Sequence, residues 1–262
     1  MSIALGNAAT GMEAMQGLTN VVTGNIANMK TTAFKEKVAL FSTLMSIDKT
    51  RVGSLTATTG ERVPVGVQIG LGVQMQAVSP ILTPGTPVQT DNPYHIMIQG
   101  PGFFQVTLPS GDIAYTRAGT FELNETGIIV THEGNTVSPG ITVPTDAQWV
   151  KVNAAGEVFV KIPGNPTPQS IGQLELATFA NPAGLEALDN NMFLETASSG
   201  TPITGTPNTD GFGKLLQHWY EGSNVNSVKA ITDLIEAQRA FEMNSKSAKT
   251  ADEMEKQLNS LA

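Results

Sequence analysis

The period of the apolar residues changes twice along this chain of 262 residues, and that change limits the folds open to it. Residues 3 to 27 repeat apolar side chains at helical spacing. Residues 94 to 200 alternate with period two, and residues 225 to 261 return to helical spacing. A helix, a β region and a second helix in that order do not build the βαβ units of a parallel sheet. The order predicts an α+β protein: a discontinuous coiled-coil-like domain of N- and C-terminal helices, with an inserted, mainly antiparallel β domain.

In the first helix Leu5, Ala8, Met12, Met15, Thr19, Val22 and Ile26 follow alternating steps of three and four, a heptad seam with one polar member. The helix would be about 37 Å long at ~1.5 Å per residue. Gly6, Gly11, Gly17 and Gly24 interrupt it, each costing ~1 kcal/mol relative to Ala. Such a helix is weak alone and needs partners, and its small residues let neighbouring helices come close. The last helix would reach about 55 Å on the same rise. Its apolar side is Val225, Val228, Ile231, Ile235, Phe241, Ala248, Ala251, Met254, Leu258 and Leu261, with Asn224 or Asn226 as N-cap. Glu242 with Lys246 and Asp252 with Lys256 are acid-before-base pairs that favour a helix.

Between the helices, turn residues mark hairpins at Pro109–Asp112, Asn124–Gly127 and Asn153–Gly156. Further strands follow in "IGQLELATFA" and "MFLET", with a short turn or helix near Ala183 to Leu188. Residues 40 to 90 are rich in Thr, Gly and Val with little periodicity, and residues 199 to 213 form a turn-dense linker.

Composition removes several function classes. The net charge of -8 disfavours nucleic-acid binding and polybasic attachment to membranes. Cysteine is absent, so there is no disulfide, thiolate metal site or cysteine nucleophile. No run of about 18 apolar residues is present, so membrane insertion is not expected. The first residues lack a basic n-region, and Asn7, Glu13, Gln16 and Asn20 break any apolar core, so no secretory signal is expected. His95, His132 and His218 have no metal-ligand spacing. Asp112, Glu122, Glu125 and Glu133 fall on or beside turns, where solvation explains them. "GLG", "GPG" and "GFGK" do not make a phosphate loop, and no nucleophile elbow is present. No catalysis, cofactor or metal is expected. In "GPGFFQV", alternation would bury one of Phe103 and Phe104 and leave the other at an edge, or offer it as a docking ring.

The ordered blocks of the chain resemble the bacterial flagellar basal-body rod and hook family, and its distal-rod branch most closely. "ANMKTTAFK" (27 to 35) is similar to the family's Ala-Asn-x-x-Thr-x-Gly-Phe-Lys motif. "QIGLGVQ" (68 to 74), "IQGPGFFQVTLPSGDIAYTRAGTFELNETG" (98 to 127), "GQLELATFANPAGLEALDNNMFLETASSG" (172 to 200) and "SNVNSVKAITDLIEAQRAFEMNSKSAKTADEM" (223 to 254) resemble successive further blocks. Together they cover nearly the whole chain.

The resemblance implies a structural subunit without catalysis, polymerising into a straight, stiff, hollow drive shaft around an export channel. It implies a helical inner-tube domain of residues 1–30 and 225–262. A connecting region of 31–92 and 200–224 would contain a rod-specific stretch near 40–75, and an outer β domain would span 93–199. It implies self-association, proximal rod and hook-side subunits as neighbours, ring proteins at the peptidoglycan and outer membrane, and delivery by the flagellar export apparatus to the periplasm-spanning distal rod. The residues expected to serve subunit packing are Leu5, Met12, Met15, Val22 and Ile26 on the first helix, then Asn25, Asn28, Thr31, Phe34 and Lys35 at its exit. Phe103 and Phe104 would join them from the β region. On the last helix they are Ile231, Ile235, Gln238, Arg239, Phe241, Asn244, Met254 and Leu258. Gly is usual in the family at the position of Ala33. A left-handed backbone would be costly for Ala, so residue 33 is expected at negative φ. Gly24 stands where Asn is common.

Other readings compete. A hook or proximal rod subunit would share the helices. A secreted β-rich module binding glycan or cell wall would show an aromatic-lined concave pocket. A wall hydrolase would need a paired-carboxylate cleft.

Overall fold

The computed structural model describes residues 3–50, 65–164 and 167–261, so residues 51–64 of the expected rod-specific stretch lie outside the described residues. The chain divides into two compact units. A helical unit comprises Met1–Ala27, Lys37–Ser79 and Asn226–Ala262, and a β unit comprises Asn28–Glu36 and Pro80–Val225. The connecting region expected over 31–92 and 200–224 is thereby shared between them.

In the helical unit, α1 (Ile3–Ala27) packs along α2 (Ser227–Leu261). Asn226 caps α2: its Oδ1 accepts the N–H groups of Val228 (3.0 Å) and Lys229 (3.2 Å), two of the donors a helix start leaves unpaired. Asp252 and Lys256 form their i,i+4 pair at 2.6 Å. Two ribbons complete the unit: β1 (Lys37–Thr43) pairs with β4 (Val73–Pro80), and β2 (Ser46–Thr50) pairs antiparallel with β3 (Val67–Gly70). They occupy a stretch where the sequence shows no periodicity. The reason is that, Ala39 of β1 apart, the side chains of these ribbons are exposed or only half-buried, so no alternation is selected.

The β unit holds the larger core. Its strands are β5 (Pro87–Gln89), β6 (Ile96–Gln99), β7 (Phe103–Thr107), β8 (Ile113–Thr116), β9 (Phe121–Leu123), β10 (Ile129–Thr131) and β11 (Thr136–Val137). β12 (Trp149–Val152), β13 (Glu157–Lys161), β14 (Gln169–Gln173), β15 (Leu176–Thr178), β16 (Glu186–Ala187) and β17 (Met192–Leu194) follow. β18 (Ile203–Gly205), β19 (Lys214–Gln217) and β20 (Trp219–Glu221) complete it. The three hairpins read from turn residues form as β7–β8, β9–β10 and β12–β13. The main sheet runs β16-β17-β8-β7-β11-β10-β9, with β15 joining β7 to β18. β12, β13 and β14 form a second sheet, and β6 pairs with β19 and β5 with β20.

Alternation fills the core between the sheets. Val150, Val152, Val158 and Val160 point in from β12 and β13, and meet Phe104, Phe121 and Ile129 of the main sheet in one buried cluster. Phe104 stacks edge-on against Phe121 with ring centroids 5.0 Å apart. Phe103, one residue earlier, points to the other face and joins a second buried cluster with Tyr115, Phe179 and Phe193. The expectation that one of these rings stays at an edge is therefore corrected. The main sheet is covered on both faces, so both rings belong to the chain's own interior.

Candidate functional site: an outward apolar face and a buried charge cluster

The helical unit is packed inside out. Among the described residues, its buried apolar side chains are Ala8, Ala14, Ala39, Ala230, Ala237, Ala251 and Val22. Among the described residues twenty large apolar side chains are exposed, and sixteen of them lie in this unit. A water-soluble monomer gains by the opposite arrangement.

The helix contact explains the inversion. On α1 the buried face runs through Ala8, Gly11, Ala14, Val22 and Asn25. Leu5, Met12, Met15 and Ile26 of the expected seam are half-buried at its flanks, and Val22 alone of the larger ones is fully covered. Small residues let the helices approach, and the larger ones are displaced. On α2 the apolar side read from the sequence turns mostly outward: Ile231 is 51% exposed, Ile235 44%, Met254 53% and Leu258 67%. Gln238 and Arg239 are exposed, and Phe241 is exposed beside Gln16 and Thr19 of α1. Asn244 is partly buried against Gly11.

The exit from α1 makes contacts within the chain. Asn25 holds the backbone of Lys37 with both ends of its amide: Oδ1 accepts the Lys37 N–H (2.9 Å) and Nδ2 donates to the Lys37 carbonyl (2.8 Å). Asn28 Oδ1 accepts the Thr31 hydroxyl (3.1 Å), and the Thr31 N–H donates to the Asn28 carbonyl (3.1 Å). Phe34 is buried. Ala33 has φ +56°, so the expected negative φ is wrong. The left-handed turn aims the Ala33 N–H at the Glu221 carbonyl (2.8 Å) while Phe34 and Lys35 enter the β unit. Those buried contacts over-determine the strained residue.

Lys35 ends in a cluster that sequence reasoning missed. Glu221 is 0% exposed. Its Oε1 takes the Lys35 ammonium and the Gly85 N–H (2.7 Å), and its Oε2 takes Arg117 Nε (2.8 Å). Two cations on one carboxylate leave an excess positive charge, which carbonyl dipoles absorb. Lys35 donates to Thr83 (2.9 Å), and Arg117 donates to Ile98 (3.3 Å), Gly100 (3.1 Å) and Gly102 (2.9 Å). The Arg117 guanidinium also lies 5.8 Å from the centre of the Phe103 ring.

Burial alone would push the Glu221 carboxyl up, but the Arg117 and Lys35 charges and the Gly85 N–H outweigh it and hold it below the usual range. Burial pulls Lys35 down, and Glu221 offsets that only in part. The two shifts oppose each other, since one favours the charged pair and the other does not. The carboxylate direction governs in acid, because two cations flank a single anion.

Among the described residues, no group of three or more His, Asp or Glu could hold a metal ion, and no helix is long and apolar enough to cross a membrane.

Residues 97–160 match the flagellar hook protein FlgE/F/G D1 domain, and residues 216–261 match the C-terminal domain of the flagellar basal body rod FlgEFG proteins. A flagellar basal-body rod protein FlgG of Caulobacter vibrioides is 49% identical over 251 residues, 96% of either chain. This chain belongs to the FlgG family of flagellar basal-body rod proteins. Relatives of the same description in Agrobacterium fabrum (44% identical) and Bacillus subtilis (34% identical) also cover 96% of either chain. A flagellar hook protein FlgE of Helicobacter pylori matches over 85 residues, 12% of its own length. The rod description therefore accounts for nearly the whole chain, where the hook relative matches 32% of it.

As a rod-family member the chain is a structural subunit of the flagellum, placed in the basal-body rod. The C-terminal family match includes Asn224, all of α2 with its outward apolar face, and Glu221 of the charge cluster, while Arg117 falls in the D1 match and Lys35 in neither. Sequence offered one cue to the cluster: Arg117 and Glu221 are isolated charges among apolar and small residues in a chain with only 15% charged residues. Their pairing with each other and with Lys35, 186 residues from Glu221, has no local trace.

Proposed function

We propose that the chain polymerises through its helical unit into the distal rod, a straight, stiff and hollow shaft that transmits torque and encloses the export channel. The observation that carries this reading is the inverted helical unit, which buries alanines and presents Ile231, Ile235, Met254 and Leu258 to solvent. Each such side chain contributes roughly 1.5–3 kcal/mol when another surface covers it fully. Further copies of the same unit meet that need without a new partner, and repeated contacts of this kind extend a polymer.

In this reading Leu5, Met12, Met15 and Ile26 flank the seam toward neighbouring copies. Asn25, Asn28, Thr31, Phe34 and Lys35 fix the exit from α1 for packing. Phe103 and Phe104 contribute indirectly, by making the β unit rigid. Proximal rod and hook-side subunits meet the two ends of the stack. The shaft crosses the periplasm inside the peptidoglycan and outer-membrane rings, and subunits arrive through the flagellar export apparatus. No catalytic step is involved.

Helical reconstruction of the assembled rod tests the proposal. It should place α1 and α2 of each copy on the channel side, with Ile231 and Ile235 against another copy. A rod whose channel is lined by the β unit, or whose α2 leaves those residues in solvent, overturns it.

A further inference from the structure

The chain passes between its two units four times, after residues 27, 36, 79 and 225. On the β-unit side, three of these passages end in one closed ring of hydrogen bonds. The Glu36 N–H donates to Asn224 Oδ1 (2.6 Å), Asn224 Nδ2 donates to the Ile81 carbonyl (2.8 Å), and the Ile81 N–H donates to the Glu36 carbonyl (2.8 Å). Each of the three residues comes from a different passage.

A few residues further in, the same three segments meet again at Glu221, which receives Lys35 from the first and the Gly85 N–H from the second while lying on the third. Glu221 then connects through Arg117 to the carbonyls of Ile98, Gly100 and Gly102, immediately before β7 of the main sheet. Residues 28–36 have no strand of their own in the β unit. No ladder fixes them there, so single backbone bonds, such as Ala33 N–H to the Glu221 carbonyl and Ile81 N–H to the Glu36 carbonyl, and side-chain contacts share that task.

We infer that Asn224 and Glu221 form a load-sharing clamp: they bind three of the four inter-unit passages into one element and pass strain on to the core sheet through Arg117. This rests on the rod reading for the origin of the load. A pull along one passage would otherwise fall on that segment alone, and β5, the first strand after residue 79 in the β unit, has three residues. With the clamp, the pull is divided among three segments and a buried ion cluster. Ionised hydrogen bonds resist such a pull better than neutral ones. Asn224 and Glu221 are positioning residues in this scheme and touch no ligand.

Amide hydrogen exchange on the full-length monomer tests the clamp. Variants Asn224→Ala and Glu221→Gln are compared with the unaltered chain. In Asn224→Ala, exchange over residues 33–36 and 80–86 should rise about tenfold, the loss of one such hydrogen bond, while β7 and β8 stay protected. Glu221→Gln should open the same two segments, including Gly85. Unchanged exchange in both segments overturns the clamp. In Asn224→Ala an equal rise in β7 and β8 also overturns it, because Asn224 would then only add to general stability. Monomer exchange does not depend on polymerisation, so a chain with an intact clamp that forms no rod refutes the rod reading alone.

Discussion

A methyl group on Gly11 would stand 2.8 Å from Asn244 Nδ2 and 3.0 Å from its Cγ. Gly11 thus leaves the space that Asn244 occupies, and a polar side chain sits in a seam of alanines. One polar residue at such a seam fixes the register of two helices. Gly11→Ala alone should weaken the helical unit. In an Asn244→Ala background the same change should stabilise it by about 1 kcal/mol, the ordinary helix preference for Ala. Urea unfolding of the four chains in a double-mutant cycle checks this. Equal effects of Gly11→Ala in both backgrounds would remove the register role.

Ala33 at φ +56° makes an unusual prediction about glycine. Replacing a buried Ala in a strand, such as Ala114, by Gly should cost about 1–2 kcal/mol in lost methyl burial and chain entropy. At Ala33 the relief of left-handed strain, about 1–2 kcal/mol, offsets those losses. Ala33→Gly should therefore fall within about 0.5 kcal/mol of the unaltered chain, and Ala33→Val should lose 2 kcal/mol or more. Denaturant midpoints of the three variants decide it.

Acid should weaken the β unit through Glu221. The folded carboxyl titrates below its ordinary value of 4.5, so its contribution is complete above that value and is lost as pH falls through the folded pKa. Lys35 is lowered from 10.5, so between its folded value and 10.5 the unfolded chain binds more protons and stability rises with pH. Glu221→Gln should remove the acid-dependent part and lower stability at pH 7 by about 3–5 kcal/mol, because two buried cations lose their counter-charge. Unfolding free energies across pH 3 to 7 that keep the same slope in the variant would contradict the assignment.

The outward face of α2 makes a prediction in which folding and assembly part company. Ile231→Glu with Ile235→Glu places charges on already exposed positions. The monomer should keep its helical circular dichroism and its stability within about 0.5 kcal/mol. Sedimentation and electron microscopy should show no polymers, and cells relying on this variant should not swim. Normal rods from the double variant would refute the role of this face.

The hairpins are legible because their turns carry Gly, Asn, Asp and Pro between apolar runs; β12 and β13 bury one face and alternate, while β7 and β8 are buried on both. Both long helices were legible from their spacing. The direction in which each helix faces was not. Hydrophobic periodicity predicts the side that will be covered, and in α2 that side is uncovered in the single chain. The ribbons over residues 37–50 and 67–80 gave no pattern for the same reason. The sequence marks Arg117 and Glu221 as isolated charges, but the pairing of Lys35, Glu221 and Arg117 is not legible there because its members are joined only by the fold. At Ala33 the cost of a left-handed alanine points to negative φ, but the buried contacts of Phe34 and Lys35 enforce the turn, and the sequence carries no sign of them.

The pairing of α1 with α2 also has a consequence in time. The seam joins residues 3–27 to residues 227–261, so it stays unmade while the segments between them are being synthesised. During that interval the β unit has what it needs to collapse, while α1, weakened by glycine, has no partner. The outward apolar face of the helical unit therefore comes into being last. If assembly runs through the helical unit as proposed, a chain interrupted before α2 would carry a finished β unit and no means of joining a growing polymer, so the order of the elements itself would screen out incomplete subunits.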